Sequence, residues 1–133
     1  MQLTGTTLLV IDDDDVVRQD IAMRLQNDGF DVLQASQAVQ GLALFGQHQP
    51  DLVLLNLQMS DQSGLALVRE MASSAPGTPL IVVSASGSMQ AVVEALHAGA
   101  SDYLLKPLSD LAVVEHVVNR SLDQGRLRVE NQR

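Results

Sequence analysis

The feature that most constrains the fold of this chain is an alternation of short apolar runs with longer amphipathic stretches. Five apolar runs typical of strands lie at residues 7–11, 31–35, 51–55, 79–84 and 102–105. Stretches with helical periodicity follow them at residues 15–28, 37–48, 64–74, 88–98 and 110–123. This alternation predicts repeated βα units around a single parallel sheet, which is an α/β fold.

The strands differ in how completely they are apolar. The first, third and fourth are apolar on both faces, as expected when helices cover both sides of a central strand, whereas the second and fifth resemble edge strands. Asp28-Gly29 and Gly99 are helix stop signals, because glycine adopts the left-handed conformation that closes a helix. Ser36, Ser88 and Ser109 are predicted to cap the helices that follow them.

Composition excludes several classes of function. The chain has 133 residues, enough for one domain, and its net charge of −8 argues against direct binding of nucleic acid. It contains no cysteine and no apolar stretch that reaches the roughly 18 residues of a membrane span. We therefore expect a cytoplasmic protein that neither enters a membrane nor contacts nucleic acid itself.

Polar side chains collect where the predicted strands end. Four consecutive aspartates, residues 12–15, follow the first strand, and the only lysine of the chain, Lys106, follows the fifth. Crowded carboxylates repel one another and usually require a cation. In open parallel sheets, ligands bind beyond the carboxyl ends of the strands, where Asp12, Asp13, Asn56 and Ser84 also lie. Acidic oxygens suit Mg²⁺ and a lysine suits a phosphoryl oxygen, so this group predicts a metal-assisted phosphoryl site.

Four separated blocks of the sequence carry a family resemblance. They are residues 8–15, residues 50–64 (PDLVLLNLQMSDQSG), residues 82–85 and residues 98–107 (AGASDYLLKP). In this order the blocks resemble the receiver domain of two-component response regulators over residues 6–122. The resemblance implies a flavodoxin-like (βα)5 three-layer sandwich, with a five-stranded parallel sheet in the order 2-1-3-4-5.

The resemblance also implies a role for each residue at the strand ends. Asp12, Asp13 and the backbone carbonyl of Gln58 would be ligands of Mg²⁺. Ser84 and Lys106 would contact a phosphoryl group. Tyr103 would be the aromatic residue whose rotation accompanies activation.

One position departs from the family pattern. The phosphoacceptor of the family is an aspartate, and this chain has Asn56 there. A neutral amide is a weak nucleophile, so no acyl phosphate should form, and Mg²⁺ binding should be weak or absent because a negative charge is lost. Ser60 and Ser63-Gly64 also depart from the pattern, where proline and Asp-Gly are usual. Either the chain is a natural pseudo-receiver, or Asn56 was engineered to block phosphorylation.

The last residues suggest a boundary. The fifth predicted helix continues as a polar segment of mixed charge, so we expect a receiver domain at residues 1–122 and, at residues 123–133, the start of a linker helix to an output domain absent from this chain. Residues 84–122 resemble more narrowly the receivers of a stationary-phase sigma factor adaptor and of regulators linked to a serine phosphatase.

The leading hypothesis is therefore a signalling module without enzymatic activity, acting through the surface of its fourth helix, fifth strand and fifth helix. Its candidate partners are the output domain, a histidine kinase or regulatory protein, and a second copy of itself. The alternative is a Mg²⁺-dependent phosphohydrolase or phosphotransferase with Asp12 or Asp13 as nucleophile, although the motif and cap insertion of such enzymes are missing. Flavin binding is disfavoured, because four acids would repel the flavin phosphate.

Overall fold

The predicted order of strands and helices is confirmed throughout the described chain. The computed structural model describes residues 5–108 and 110–131, with side chains described as far as residue 124. Its elements alternate strictly between strand and helix. They are β1 (Thr7–Ile11), α1 (Asp15–Asn27), β2 (Asp31–Ala35), α2 (Ala38–His48), β3 (Leu52–Asn56), α3 (Gly64–Ser74), β4 (Leu80–Ser84), α4 (Met89–Ala98), β5 (Asp102–Leu105) and α5 (Leu111–Asn131).

All five strands are parallel and lie in the order β2-β1-β3-β4-β5. The flavodoxin-like order 2-1-3-4-5 is therefore confirmed, with β2 and β5 at the edges as their mixed composition predicted. The register places Ile11 beside Leu55, and Ser84 beside Leu105. The carboxyl ends of the strands consequently meet along one edge of the sheet.

The sheet separates two hydrophobic cores, which makes three layers. On one face, alternate residues of β1, β3 and β4 pack against α2, α3 and α4, with Phe45, Leu67 and Met71 buried. On the other face, the intervening residues of the same strands pack against α1 and α5. This second core contains Val114 and Val118, which lie four residues apart and therefore on the same face of α5. Because each central strand is buried on both sides, its sequence is apolar at nearly every position.

Most helix ends follow the local signals, with one correction. Ser88 caps α4 by accepting the backbone N–H of Ala91, and Gly99 ends that helix with a φ of 125°. The predicted cap Ser36 is wrong, because α2 begins after Gln37 and Ser36 lies one residue too early. The acceptor is instead the carboxylate of Asp61, as described below. The predicted cap Ser109 lies outside the described residues.

Helix α5 begins at Leu111 and continues to Asn131, so the helix extends past residue 123, as the polar segment there predicted. Gly125 does not interrupt its backbone. Within the part of the chain that the structure describes, no helix is both long enough and apolar enough to cross a membrane.

Candidate functional site

The predicted site residues come together at the carboxyl edge of the sheet. Asn56 and Ser84 are the last residues of β3 and β4, while Asp12 and Lys106 directly follow β1 and β5. Asp12 is 1% exposed, Asn56 is 5% exposed and Ser84 is fully buried. Buried polar side chains require partners, so the contacts of these residues determine what the pocket can do.

Both carboxylate oxygens of Asp12 have partners. Oδ1 accepts the backbone N–H of Asp14 at 2.9 Å and the Asn56 side chain at 3.3 Å. Oδ2 forms an ion pair with the ammonium group of Lys106 at 3.0 Å. Lys106 therefore does not lack a partner when residue 56 is uncharged, because Asp12 supplies one.

The side-chain amide of Asn56 lies at the centre of the pocket. Its nitrogen Nδ2 is 3.3 Å from Oδ1 of Asp12, 3.3 Å from Oδ1 of Asp13 and 2.9 Å from the carbonyl oxygen of Gln58. Its oxygen Oδ1 accepts the backbone N–H of Gln58 at 3.4 Å. The three groups that the resemblance assigned to Mg²⁺ thus converge on one nitrogen atom.

The loop after β3 is held close to the strand end. The backbone N–H of Gly64 donates to the carbonyl oxygen of Leu57 at 3.0 Å, and Gln58 pairs with Ser63 in an isolated bridge. A Cβ atom added at Gly64 would lie only 2.5 Å from Cα of Leu57. Glycine is therefore required there by the close approach of two backbone segments, which fixes the carbonyl of Gln58 beside Asn56.

Ser84 and Tyr103 are connected through the loop after β4. Oγ of Ser84 accepts the backbone N–H of Ser86 at 3.1 Å, and the hydroxyl of Tyr103 donates to the carbonyl oxygen of Ser86 at 2.7 Å. Ser84 also accepts the backbone N–H of Lys106 through its own carbonyl oxygen, at 2.8 Å. Ser84, the predicted phosphoryl contact, and Tyr103, the aromatic residue predicted to rotate on activation, are therefore both hydrogen-bonded to the backbone of Ser86.

Two charged residues that support the site were missed by the sequence analysis. Arg18 is 9% exposed and donates to the backbone carbonyl of Asp12 at 3.0 Å, to Asp15 at 2.7 Å and to Gln34 at 3.2 Å. Only its i,i+3 spacing from Asp15 is visible in the sequence. Its bond to the carbonyl of Asp12 depends on the fold.

The second missed residue is Asp61, in the loop between β3 and α3. Its two carboxylate oxygens accept the backbone N–H groups of Ala38 and Val39 at 3.0 and 3.2 Å. These hydrogen bonds, first that of Ala38, lower the pKa of Asp61. An acid at the positive end of α2 stabilises the helix and ties it to the loop that carries Gln58.

Asp14 and Asp15 have the structural roles expected of acids at a helix start. Asp14 is the N-cap of α1 and accepts the backbone N–H groups of Val16 and Val17. Asp15 opens the helix and pairs with Arg18. Of the four consecutive aspartates, only Asp12 and Asp13 face Asn56.

The residues present do not fit a divalent cation in the arrangement that the structure gives them. The oxygens of Asp12, Asp13 and Gln58 are of the kind that Mg²⁺ prefers, but all three already accept from Nδ2 of Asn56. Among the residues whose side chains are described, no group of three or more His, Cys, Asp or Glu could hold a metal ion.

The sequence and the fold both match known proteins. Residues 8–118 match the family described as the response regulator receiver domain. The regulatory protein AtoC of Escherichia coli strain K12 is 33% identical over 123 residues, which are 92% of this chain and 26% of that protein. Response regulator MprA of Mycobacterium sp. strain KMS is 36% identical over 102 residues, covering 77% of this chain and 44% of that protein.

A solved structure supports the same assignment. The response regulator receiver domain protein (CheY-like) from Methanospirillum hungatei JF-1 superimposes with a TM-score of 0.88 and 26% identity, covering 92% of this chain and 98% of that chain. The curated relatives are longer, since this chain spans 26% of AtoC and 44% of MprA.

Proposed function

We propose that this chain, which belongs to the response regulator receiver domain family, is a receiver that does not accept a phosphoryl group. In this proposal the domain regulates an output domain or a partner protein through a surface formed by α4, β5 and α5. The observation that carries the proposal is the position of Asn56. Its amide nitrogen faces Asp12 and Asp13, whereas a phosphoacceptor at position 56 would need a carboxylate oxygen.

The chemistry of the amide supports phosphorylation incompetence. Attack on phosphorus needs an electron-rich oxygen, and an ionised carboxylate supplies one at neutral pH. The amide of Asn56 is neutral, and its oxygen already accepts the N–H of Gln58. Both oxygens of Asp12 are already engaged, and Asp13 is exposed to solvent instead of being buried at the end of β3 as Asn56 is. Neither neighbouring acid therefore replaces the missing phosphoacceptor in position and environment.

Exposed apolar side chains support the proposed contact surface. Several large apolar residues on α4 and β5 are between 39% and 77% exposed, although their neighbours are packed in the core. These exposed residues are Met89, Val93, Leu96 and Leu105. Beside them, Arg120 of α5 pairs with Asp102 of β5 at 2.5 Å. An apolar patch with a charged border is typical of a protein contact.

A short hydrogen-bonded path connects the pocket with this surface. It runs from Ser84 through Ser86 to Tyr103 on β5. Because the loop after β4 leads directly into α4, a change at Ser84 would alter the loop and then the surface. The proposed role of Ser84, Lys106 and Tyr103 as contact and switch residues rests on this path and on the family resemblance.

The relatives suggest the context of the domain. AtoC and MprA are longer than this chain, and α5 continues to Asn131, so we propose that residues 123–133 begin a linker to an output domain. The output domain is the first candidate partner, followed by a histidine kinase or other regulatory protein and by a second copy of the chain. The narrower likeness to a sigma factor adaptor or a phosphatase-linked regulator stays a hypothesis about that output.

The phosphohydrolase alternative is not favoured. Such an enzyme needs a free aspartate nucleophile, whereas Asp12 is 1% exposed and forms an ion pair with Lys106. No contact in the described residues supports substrate turnover by Asp13. Receiver domains are signalling modules, and we propose the same non-enzymatic role here.

The test is intact-protein mass spectrometry after incubation with acetyl phosphate and Mg²⁺. The wild-type chain should gain no mass, whereas Asn56→Asp should gain one phosphoryl group. Asn119→Asp, which makes the same chemical change on the exposed side of α5, is the matched control and should gain none. Amide spectra of the phosphorylated Asn56→Asp variant should then shift along α4, β5 and α5.

Two results would contradict the proposal. Phosphoryl uptake by the wild-type chain at a residue of this pocket would disprove incompetence. Uptake by Asn56→Asp without any spectral change at α4 or β5 would disprove the proposed contact surface, because the pocket and the surface would then be uncoupled.

A further inference from the structure

We propose that the side-chain amide of Asn56 and the ammonium of Lys106 together replace a divalent cation in the acidic pocket. The acids are then neutralised, and the loops around them are held in place, without a bound metal ion. This inference goes beyond the loss of phosphorylation. It concerns what neutralises the acids, and it is tested separately from phosphoryl chemistry.

Three oxygen atoms converge on the amide nitrogen of Asn56. Oδ1 of Asp12, Oδ1 of Asp13 and the carbonyl oxygen of Gln58 all lie between 2.9 and 3.3 Å from Nδ2 of Asn56. Acidic groups this close together normally need a positive partner. The partially positive N–H groups of the amide fill that role within the chain itself.

The backbone of Gln58 fixes the amide in this orientation. Asn56 makes two contacts with the backbone of Gln58, donating to its carbonyl and accepting from its N–H. A cation ligand would have to be the amide oxygen, so Asn56 would have to turn by half a rotation about its last torsion. Nδ2 would then face the N–H of Gln58 and Oδ1 would face its carbonyl. Both contacts would become repulsive.

The net charge of the pocket also disfavours a divalent cation. Asp12 and Asp13 carry two negative charges, and Lys106 lies 3.0 Å from Oδ2 of Asp12. The formal charges of these three side chains therefore sum to −1. A doubly charged cation would leave the pocket with a net charge of +1. With an aspartate at position 56, the side chains would sum to −2 and the cation would neutralise them.

The ion pair between Asp12 and Lys106 is largely buried. Asp12 is 1% exposed, and the side chain of Lys106 is 17% exposed, so their ion pair is only weakly screened by solvent. A cation entering beside Asp12 would have to displace Lys106 or approach it closely. Either event costs more in a buried pocket than at the surface.

The consequence is a receiver with a fixed pocket. Asn56 joins the loop after β1, through Asp12 and Asp13, to the loop after β3, through Gln58. The relative position of these loops is set by a side chain of the chain itself. We therefore expect the conformation of the domain to be independent of the Mg²⁺ concentration.

The experiment is a titration of ¹⁵N-labelled protein with Mg²⁺, followed by the backbone amide shifts of Asp13, Asn56 and Gln58. The chains to compare are the wild type, Asn56→Asp and Asn56→Ala, with Asn119→Asp as the control for charge. The wild type and the control should show no saturable shift at millimolar Mg²⁺. Asn56→Asp should bind at least about tenfold more tightly, because ligand charge sets affinity at such sites.

Asn56→Ala separates occupancy from charge. It adds no negative charge but removes the N–H groups that occupy the three oxygens, so it should gain measurable Mg²⁺ binding between that of the wild type and that of Asn56→Asp. The increase in the thermal unfolding midpoint that Mg²⁺ causes should follow the same order, smallest for the wild type and largest for Asn56→Asp.

Two outcomes would overturn the inference. Saturable binding by the wild type at submillimolar Mg²⁺ would show that the amide does not exclude the cation. Binding by Asn56→Asp together with none by folded Asn56→Ala would show that the missing charge alone, and not the amide, accounts for the difference.

Discussion

A carboxyl pair at the junction of α1 and α5 makes stability depend on pH in an unusual direction. The carboxyl group of Asp28, at the end of α1, faces that of Glu115 in α5, and two carboxyl groups can hydrogen-bond only by sharing a proton. Among the described residues, Oδ2 of Asp28 is buried and has no hydrogen-bond donor, as expected of an oxygen that carries such a proton. Arg24 pairs with Glu115 at 2.7 Å, which leaves the proton on Asp28.

The pKa values follow from this geometry. The hydrogen bond to Glu115, then burial, and then repulsion by Glu115 raise the pKa of Asp28 from 3.8 to about 6. The hydrogen bond from Asp28 and that from Arg24 lower the pKa of Glu115. A raised carboxyl pKa means that the folded state binds the proton more tightly than the unfolded state. The resulting stability is fully present below pH 3.8 and is lost as the pH rises through about 6.

The magnitude can be bounded. A shift of about two pKa units corresponds to about 3 kcal/mol, at 1.36 kcal/mol per unit. Asp28 is half-buried, so solvent screening reduces the effect to roughly 1 kcal/mol. Glu115 contributes in the opposite direction, since its stabilisation is present above its usual pKa of 4.5 and is lost as the pH falls through its lowered pKa. Together, the two contributions are greatest between about pH 3.8 and 4.5, and their sum declines as the pH rises from 4.5 towards 6.

The perturbation is Asp28→Asn, which supplies a permanent N–H donor to Glu115. We expect urea unfolding to show a gain of roughly 1 kcal/mol at a pH about two units above the folded pKa of Asp28, and no gain below its unfolded pKa. Asp20→Asn, an exposed change on the same helix, should show no such pH dependence. An equal effect of Asp28→Asn at both pH values would refute the shared proton.

Two further predictions concern the loops around the site. Gly64→Ala should cost about 2 kcal/mol in urea unfolding, because the new Cβ would overlap the backbone of Leu57, whereas Gly46→Ala, with nothing within 4 Å, should be neutral or gain about 0.5 kcal/mol. Equal effects of the two changes would contradict the close approach. Arg18→Met should cost about 2 kcal/mol by the same assay, because three hydrogen bonds of a buried guanidinium are lost. Arg69→Met, at an exposed position, should change the free energy of unfolding by no more than about 0.5 kcal/mol. A similar loss from both changes would show that the three hydrogen bonds of Arg18 do not account for the effect.

The fold was largely predictable because its signals are local and periodic. The apolar runs that became β1, β3 and β4 are buried on both faces, and this follows directly from their composition. Helix stops at Gly29 and Gly99 have φ values of 100° and 125°, a backbone conformation that glycine adopts readily. The cap of α2 was not predictable, because its acceptor, Asp61, is 23 residues away from Ala38.

The positions of the candidate site residues were predictable from the sequence, but their contacts were not. The rule that ligands bind at the carboxyl edge of a parallel sheet placed Asp12, Asn56, Ser84 and Lys106 together, and the structure has them there. Residue type alone does not assign a partner to Lys106. The pairing with Asp12 appears only when β1 and β5 are aligned in the sheet.

The sequence by itself determined the alternation of strands and helices, the edge at which polar residues collect, and the presence of an amide at position 56. These properties depend on residue type and on short-range periodicity. Tertiary structure decided which groups contact the acids. The contacts of Asn56 with Asp12 and Asp13, the ion pair of Lys106 and the approach of Asp28 to Glu115 all depend on distances between segments far apart in the chain. Electrostatic and hydrogen-bond energies change steeply over such distances, so residue type alone could not assign these partners.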